Sequence, residues 1–179
     1  MNLSLGELEA LCRKAARGAG YSWGLAEEAG RAVRWLQARQ MDGARALADL
    51  CECDVRACPS LPNCSEDGPF CPLVTGAAIC DHAHLLDQGD WHIGPLAHAL
   101  LVMPFVDWAG AECEVTVDAG TVSMTVTKGT VLRLTPQVSR ADLSQDVYQR
   151  LNTLACKTYA PATEASRISG AGAGLTDND

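Results

Sequence analysis

Apolar residues recur at helical spacing through the first fifty residues of the chain. Ser4 and Glu7 have the spacing of a capping box, which predicts that the first helix begins just after Ser4. The apolar positions that follow it share one helix face: Leu5, Leu8, Leu11, Cys12, Ala15, Ala16 and Ala19. A second stripe predicts a helix over residues 23–40, and a short third helix is expected over 44–50. These segments together predict an N-terminal helical layer.

Alternation of period two appears only later, over residues 113–118, 121–127 and 130–135. Ala119-Gly120 and Lys128-Gly129 are typical of the turns between such strands, so we expect a three-stranded antiparallel meander. The candidates for its buried face are Val115, Val117, Val122, Met124, Val126, Leu132 and Leu134, and the pattern does not assign them to one face or the other. A last helix is expected over residues 143–159, with Pro161 ending it.

The middle of the chain gives weaker signals. Residues 51–72 hold four prolines and five cysteines with no periodicity, which predicts an irregular loop. Residues 74–87 have helical character, and 91–106 indicate a strand and a short helix. Helices, then a meander, then a helix is an α+β arrangement, and we expect one domain over residues 1–179.

Composition narrows the class of function. The net charge is −8 and the pI about 4.9, which argues against nucleic acid or an anionic membrane as the main partner. The N-terminus shows no secretion signal and no apolar run is long enough to span a bilayer, so a cytoplasmic protein is expected. In that compartment the nine cysteines are expected to be thiols, metal ligands or reactive groups and not structural disulfides.

Two clusters could carry chemistry of their own. The loop predicts a zinc site, with ligands drawn from Cys51, Cys53, Cys58, Cys64 and Cys71. The alternative is that these cysteines are ordinary small, partly buried thiols. Farther on, Cys80, Asp81 and His84 could form a nucleophile, orienting group and base, or else lie in solvent at the edge of the core.

The C-terminal segment, residues 158–179, is polar and glycine-rich and ends on carboxylates. Its polar groups suit a bound ligand: Arg167 can hold a carboxylate or phosphate, and Asp177 and Asp179 can take a hard cation. By composition alone, the same segment is also typical of a disordered end.

Residues 20–36 (GYSWGLAEEAGRAVRWL) and 158–179 (TYAPATEASRISGAGAGLTDND) resemble a bacterial family known as a domain of unknown function. The resemblance implies that the C-terminal segment is a shared signature and an ordered polar tail, and that the cysteine-rich loop is an insert outside the family pattern.

We therefore expect a site where the tail meets the start of the second helix. Glu28 and Glu164 are the predicted general bases. The residues expected to bind the ligand are Tyr21, Ser22, Trp23, Thr163, Ser166, Arg167, Asp177 and Asp179. The leading hypothesis is a small-molecule metabolic enzyme or its accessory subunit. A homo-oligomeric or partner-binding assembly protein and a zinc-stabilised binding module remain as alternatives.

Overall fold

The computed structural model describes residues 1–61, 63–64, 68–129, 135 and 137–159. Its helices are α1 (Leu5–Gly18), α2 (Trp23–Gln37), α3 (Gly43–Glu52), α4 (Pro72–His82), α5 (Met103–Trp108) and α6 (Gln145–Cys156). Its strands are β1 (Asn2–Ser4), β2 (Trp91–Ile93), β3 (Ala111–Asp118), β4 (Thr121–Lys128) and β5 (Arg140–Asp142). Two 3₁₀ helices span Ala83–Gln88 and Ala99–Val102. The predicted α+β class is confirmed.

The first helix begins as the capping box predicts. The Glu7 amide donates to Ser4 Oγ at 3.2 Å, and the Ser4 amide donates to the Glu7 carboxylate at 2.7 Å. These reciprocal bonds satisfy two backbone donors that the helix itself leaves unpaired. Hydrogen bonds from Ser4 lower the pKa of Glu7, because they stabilise its charged form.

Small residues let α1 approach both α2 and α6. The buried faces of α1 and α2 are rich in alanine, including Ala15, Ala16, Ala26 and Ala29. A Cβ on Gly30 would stand 2.7 Å from the Glu9 carbonyl oxygen, and one on Gly18 would overlap the backbone of Leu154. Backbone-to-backbone contact of this kind lets the interior pack closely, although only 5% of residues are aromatic.

The second helix ends earlier than predicted, at Gln37 and not at Gln40. Gln40 has a positive φ of 61°, and the Met41 amide donates to the Leu36 carbonyl at 3.0 Å. This turn leads directly to Asp42, whose carboxylate accepts from the Arg45 amide at 3.2 Å and caps α3. The helical periodicity continues through the turn, which explains the boundary error.

The N-terminal strand pairs with the strand that precedes α6, which the sequence analysis did not predict. Strands β1 and β5 run antiparallel, with Leu3 opposite Ala141. The N-terminal ammonium donates to the Leu143 carbonyl at 2.6 Å, and the Leu143 amide donates to the Met1 carbonyl at 2.9 Å. This pairing delays α6, which begins at Gln145 with Ser144 as its cap.

The larger sheet is antiparallel and has the strand order β2-β4-β3 among the described residues. Strands β3 and β4 form the predicted hairpin around Ala119 and Gly120, both at positive φ. The predicted strand over 130–135 lies outside the described residues except for Thr135.

Burial differs along the hairpin. Met124 and Val126 are buried as expected, where β4 pairs with β2. Val115 and Val117, which were also candidates for the buried face, are 44% and 68% exposed. Strand β2 reaches only as far as Met124, so the tip of the hairpin projects beyond the core.

Two groups of buried side chains fill the interior. The helices α1, α2, α3 and α6 enclose one, and the other lies between α4, α5 and the larger sheet around Trp91. None of the described helices has the length and apolarity that crossing a membrane requires.

The contact between Gly18 and Leu154 yields a stability prediction. Gly18→Ala is expected to lower the free energy of unfolding by about 1–3 kcal/mol, because the new methyl group overlaps backbone that cannot rotate away. Gly24→Ala is the control, since its methyl group would meet nothing within 4 Å, and a gain of about 0.5–1 kcal/mol is expected. Urea unfolding of both variants measures the difference, and equal effects would contradict this account of the packing.

Candidate functional site

A cavity of about 420 Å³ opens where the turn between α1 and α2 meets the end of α6. Its lining, here called the basic cavity, consists of Arg17, Gly18, Gly20, Trp23, Lys157 and Thr158. It brings the predicted start of the second helix next to Thr158, the first residue of the predicted tail. Of the predicted tail, only residues 158 and 159 are described, and Thr158 lines this cavity together with Trp23 of the second helix.

The floor of the basic cavity is a tight turn. The Gly20 amide donates to the Arg17 carbonyl at 3.0 Å, and the Tyr21 amide donates to the Ala16 carbonyl at 3.2 Å. Gly20 adopts a φ of 97°, a conformation that side-chain-bearing residues rarely reach. This turn points the first residues of α2 at the cavity.

The start of α2 contributes a positive electrostatic field. Ser22 caps the helix and accepts from the Leu25 amide at 3.3 Å. Amides in a first helical turn have no intrahelical acceptor, and their dipoles add to a partial positive charge. The amide ends of Trp23 and Gly24 thus favour an anion here.

Side-chain cations strengthen that field. The Arg17 guanidinium stacks 4.9 Å above the Trp23 ring and donates to the Tyr21 carbonyl at 2.8 Å. Lys157 forms part of the opposite wall, at the end of α6. Lysine and arginine near helix C-termini are favourable for those helices, and here Arg17 and Lys157 also line the cavity.

Tyr21 lies beneath the turn and not in the cavity. Its hydroxyl accepts from Arg56 at 3.1 Å and is 3.6 Å from the Cys71 sulfur. Arg56 also stacks 4.4 Å from the ring and donates to the Ala19 carbonyl at 3.2 Å. Burial, followed by the hydrogen bond with Cys71, raises the pKa of the Tyr21 phenol. Tyr21 therefore attaches the cysteine-rich loop to the turn.

Glu28 points away from the basic cavity, toward α4. Burial raises the pKa of Glu28, and the Asp81 carboxylate raises it further, with Arg31 opposing. Glu27 is exposed. The remaining predicted site residues, Thr163, Glu164, Ser166, Arg167, Asp177 and Asp179, lie outside the described residues.

The five loop cysteines occupy different surroundings. Cys71 and Cys64 are buried in different cores, and burial raises the pKa of Cys51 to about 12. Cys58 donates to the Pro59 carbonyl, and Cys53 lies 3.9 Å from His98 Nε2. In the part of the chain that the structure describes, no three histidine, cysteine, aspartate or glutamate side chains are grouped to hold a metal ion.

The sequence analysis also grouped Cys80, Asp81 and His84 as a nucleophile, orienting group and base, and these residues too have different surroundings. The Cys80 thiol donates to the Phe105 carbonyl at 3.4 Å, and burial, with Glu28 and Asp81 adding to it, raises the pKa of Cys80 to about 11. His84 is exposed on the first 3₁₀ helix.

The sequence analysis missed Arg17 and Lys157 of the basic cavity, although both are basic residues at the ends of predicted helices.

Residues 3–72 match a protein family described as a protein of unknown function (DUF3726). The expected resemblance to an uncharacterised family is thereby supported over the N-terminal helices. The matched region includes the cysteine-rich loop, which we expected to lie outside the family pattern, and it does not reach residues 158–179. No curated protein and no solved structure shows significant similarity to the chain.

The position of Glu28 beside Asp81 predicts a pH effect. A carboxyl with a raised folded-state pKa costs stability when it is ionised, so the cost is present at pH 7 and disappears as the pH falls through its pKa. Glu28→Gln is expected to raise the free energy of unfolding at pH 7 by less than about 1 kcal/mol. The gain should vanish toward pH ~4, the ordinary range of a glutamate.

Glu27→Gln is the matched control, because the neighbouring Glu27 side chain is exposed. Its effect on stability is expected to stay within about 0.5 kcal/mol at every pH. Urea unfolding of both variants at pH 7 and pH 4 gives the comparison. A loss of stability in Glu28→Gln at pH 7 would contradict the electrostatic assignment.

Proposed function

We propose that the protein binds a small anionic metabolite, carrying a carboxylate or phosphate group, in the basic cavity. In this proposal the tail that continues from Tyr159 completes the site, as part of a metabolic enzyme or of its accessory subunit. The observation that supports it is the meeting of Arg17, Lys157 and the amide end of α2 in one cavity.

Charge supports an anion over other ligand classes. The protein carries a net charge of −8, yet the basic cavity is lined by two cations and by no acidic side chain among the described residues. Arginine offers a planar fork that matches carboxylate and phosphate oxygens, and lysine adds a point charge. An anion placed in the basic cavity would pair with both Arg17 and Lys157.

Shape supports a small molecule. A volume of about 420 Å³ falls in the range of pockets that enclose metabolite-sized ligands. Trp23 is 63% exposed, so its ring can cover the apolar part of a ligand without losing core contacts. Arg17 already holds that ring from one side.

The tail supplies the groups that the basic cavity lacks. In this proposal Thr163, Ser166 and Arg167 bind the ligand, and Glu164 acts as general base. Asp177 and Asp179 would bind a cation that accompanies the anion. Glu28, which faces α4, is not assigned to the chemistry of this cavity.

Binding of inorganic phosphate and of succinate tests the cavity directly. Lys157→Gln is expected to weaken the better of the two ligands about tenfold in isothermal titration calorimetry, because it removes one of the two cations. Lys128→Gln is the matched control, since that lysine pairs with Asp87 on the surface. No binding by the unmodified protein, or equal losses in both variants, would reject the proposal.

A chain ending at Tyr159 tests the tail separately. If the tail completes the site, this truncation should weaken binding at least tenfold while the far-ultraviolet circular dichroism stays unchanged. If the tail instead joins copies of the chain, sedimentation velocity will show a smaller particle and ligand affinity will be preserved. That second result would favour the assembly protein over the metabolic enzyme.

A further inference from the structure

A second cavity, of about 430 Å³, lies between α3, the second 3₁₀ helix and the hairpin of β3 and β4. Its wall is mainly apolar: Ala46, Leu100, Met103, Val115 and Val122. We call it the apolar cavity. Val115 is 44% exposed in a chain whose other large aliphatic side chains are mostly buried, so the cavity leaves an apolar surface open to a ligand.

His98 is the one imidazole among the described residues that line the apolar cavity. It has φ 46° and ψ 51°, a left-handed conformation that costs free energy for a residue with a Cβ. Such strain persists only where the surroundings hold it, and it is concentrated at functional sites. In this conformation His98 Nε2 lies 3.9 Å from the thiol of Cys53.

Cys53 is placed by the end of α3. It is the C-cap residue, and its thiol also lies 3.3 Å from the Asp49 carbonyl, one helical turn earlier. The side chain is half-buried. Cys53 does not itself line the apolar cavity, but it lies next to His98, which does. A thiol next to an imidazole is the arrangement by which a base activates a sulfur nucleophile.

Five other thiols are less suited than Cys53 to act as a nucleophile at the apolar cavity. Cys12 and Cys71 are fully buried. Burial raises the pKa of Cys51 to about 12 and that of Cys80 to about 11, which suppresses their thiolates at neutral pH. Cys156 is exposed on the last turn of α6, away from the apolar cavity.

We propose that Cys53 and His98 form a nucleophile and base that act on esters or thioesters whose apolar acyl group occupies the apolar cavity. This site is separate from the basic cavity and does not depend on it. The apolar wall would favour a medium-length acyl chain over acetyl, because each buried methylene contributes about 0.8 kcal/mol.

The chemistry balances with water as the second reactant. His98 Nε2 takes the Cys53 thiol proton, and the sulfur electron pair forms a bond to the carbonyl carbon. Collapse of the tetrahedral adduct breaks the bond to the alcohol or thiol, which leaves with the proton from His98. Water then attacks the acyl-sulfur carbon while His98 takes its proton, and the released Cys53 sulfur regains that proton as the acid departs.

Para-nitrophenyl octanoate and para-nitrophenyl acetate are the probes. The full chain is expected to release one equivalent of nitrophenolate in a burst, at least tenfold faster from octanoate than from acetate. Peptide mass spectrometry should place the octanoyl group on Cys53. Cys53→Ser is expected to abolish the burst, and Cys156→Ser to leave it unchanged.

His98→Asn tests the base, because asparagine tolerates the left-handed backbone that His98 occupies. It should slow the burst at least tenfold while thermal unfolding shows an intact fold. His82→Asn, on an exposed histidine at the end of α4, is the matched control and should not change the rate.

Three results would overturn the proposal. Acylation located on another cysteine would place the reactive thiol elsewhere. A burst that is equally fast in His98→Asn would remove the role of the imidazole. One equivalent of zinc in the purified protein, with Cys53 protected until a chelator removes the metal, would show that the pair holds a metal and not an acyl group.

Discussion

The close approach of α1 to α2 and α6 is the constraint on which the described structure depends. Helix axes can come this near only where a residue has no side chain, and Gly30 and Gly18 stand at the two contacts. The first contact sets α2 against the Glu9 carbonyl. The second sets the end of α6 against the end of α1, with Leu154 on Gly18. Because Gly18 also lines the basic cavity, the same contact fixes the distance between its two walls.

Backbone hydrogen bonds and an arginine hold the described part of the cysteine-rich loop against the rest of the protein. The Cys71 amide donates to the Ala57 carbonyl at 2.8 Å, and the Phe70 amide donates to the Pro95 carbonyl at 2.8 Å. Arg56 ties the loop to Tyr21 and to the turn above it. The loop thereby connects the turn that floors the basic cavity with the end of α3, where Cys53 meets His98.

Local signals in the sequence predicted the local structure well. The capping box at Ser4, the alternation in β3 and β4 and the apolar stripe of α6 each depend on neighbours close in the chain. Pairing of β1 with β5 joins residues about 140 positions apart, and short strands of three residues carry no periodicity. The start of the second helix was expected at a site, and it does line the basic cavity, whereas Lys157 lies there because α6 packs on Gly18. Cys53 and His98 are 45 positions apart in the chain, so no local pattern predicted their contact.

The two cavities differ in what they can hold, and the difference follows from the residues around them. An apolar acyl chain in the basic cavity would strip water from Arg17 and Lys157 without replacing it, which is costly for charged groups. In the apolar cavity Arg45 is already paired with Asp42 at 3.1 Å, so an anion there would compete with an existing carboxylate. Burying apolar surface, by contrast, is favourable against Leu100, Met103 and Val122. Desolvation therefore favours the basic cavity for the proposed anion and the apolar cavity for the proposed acyl group.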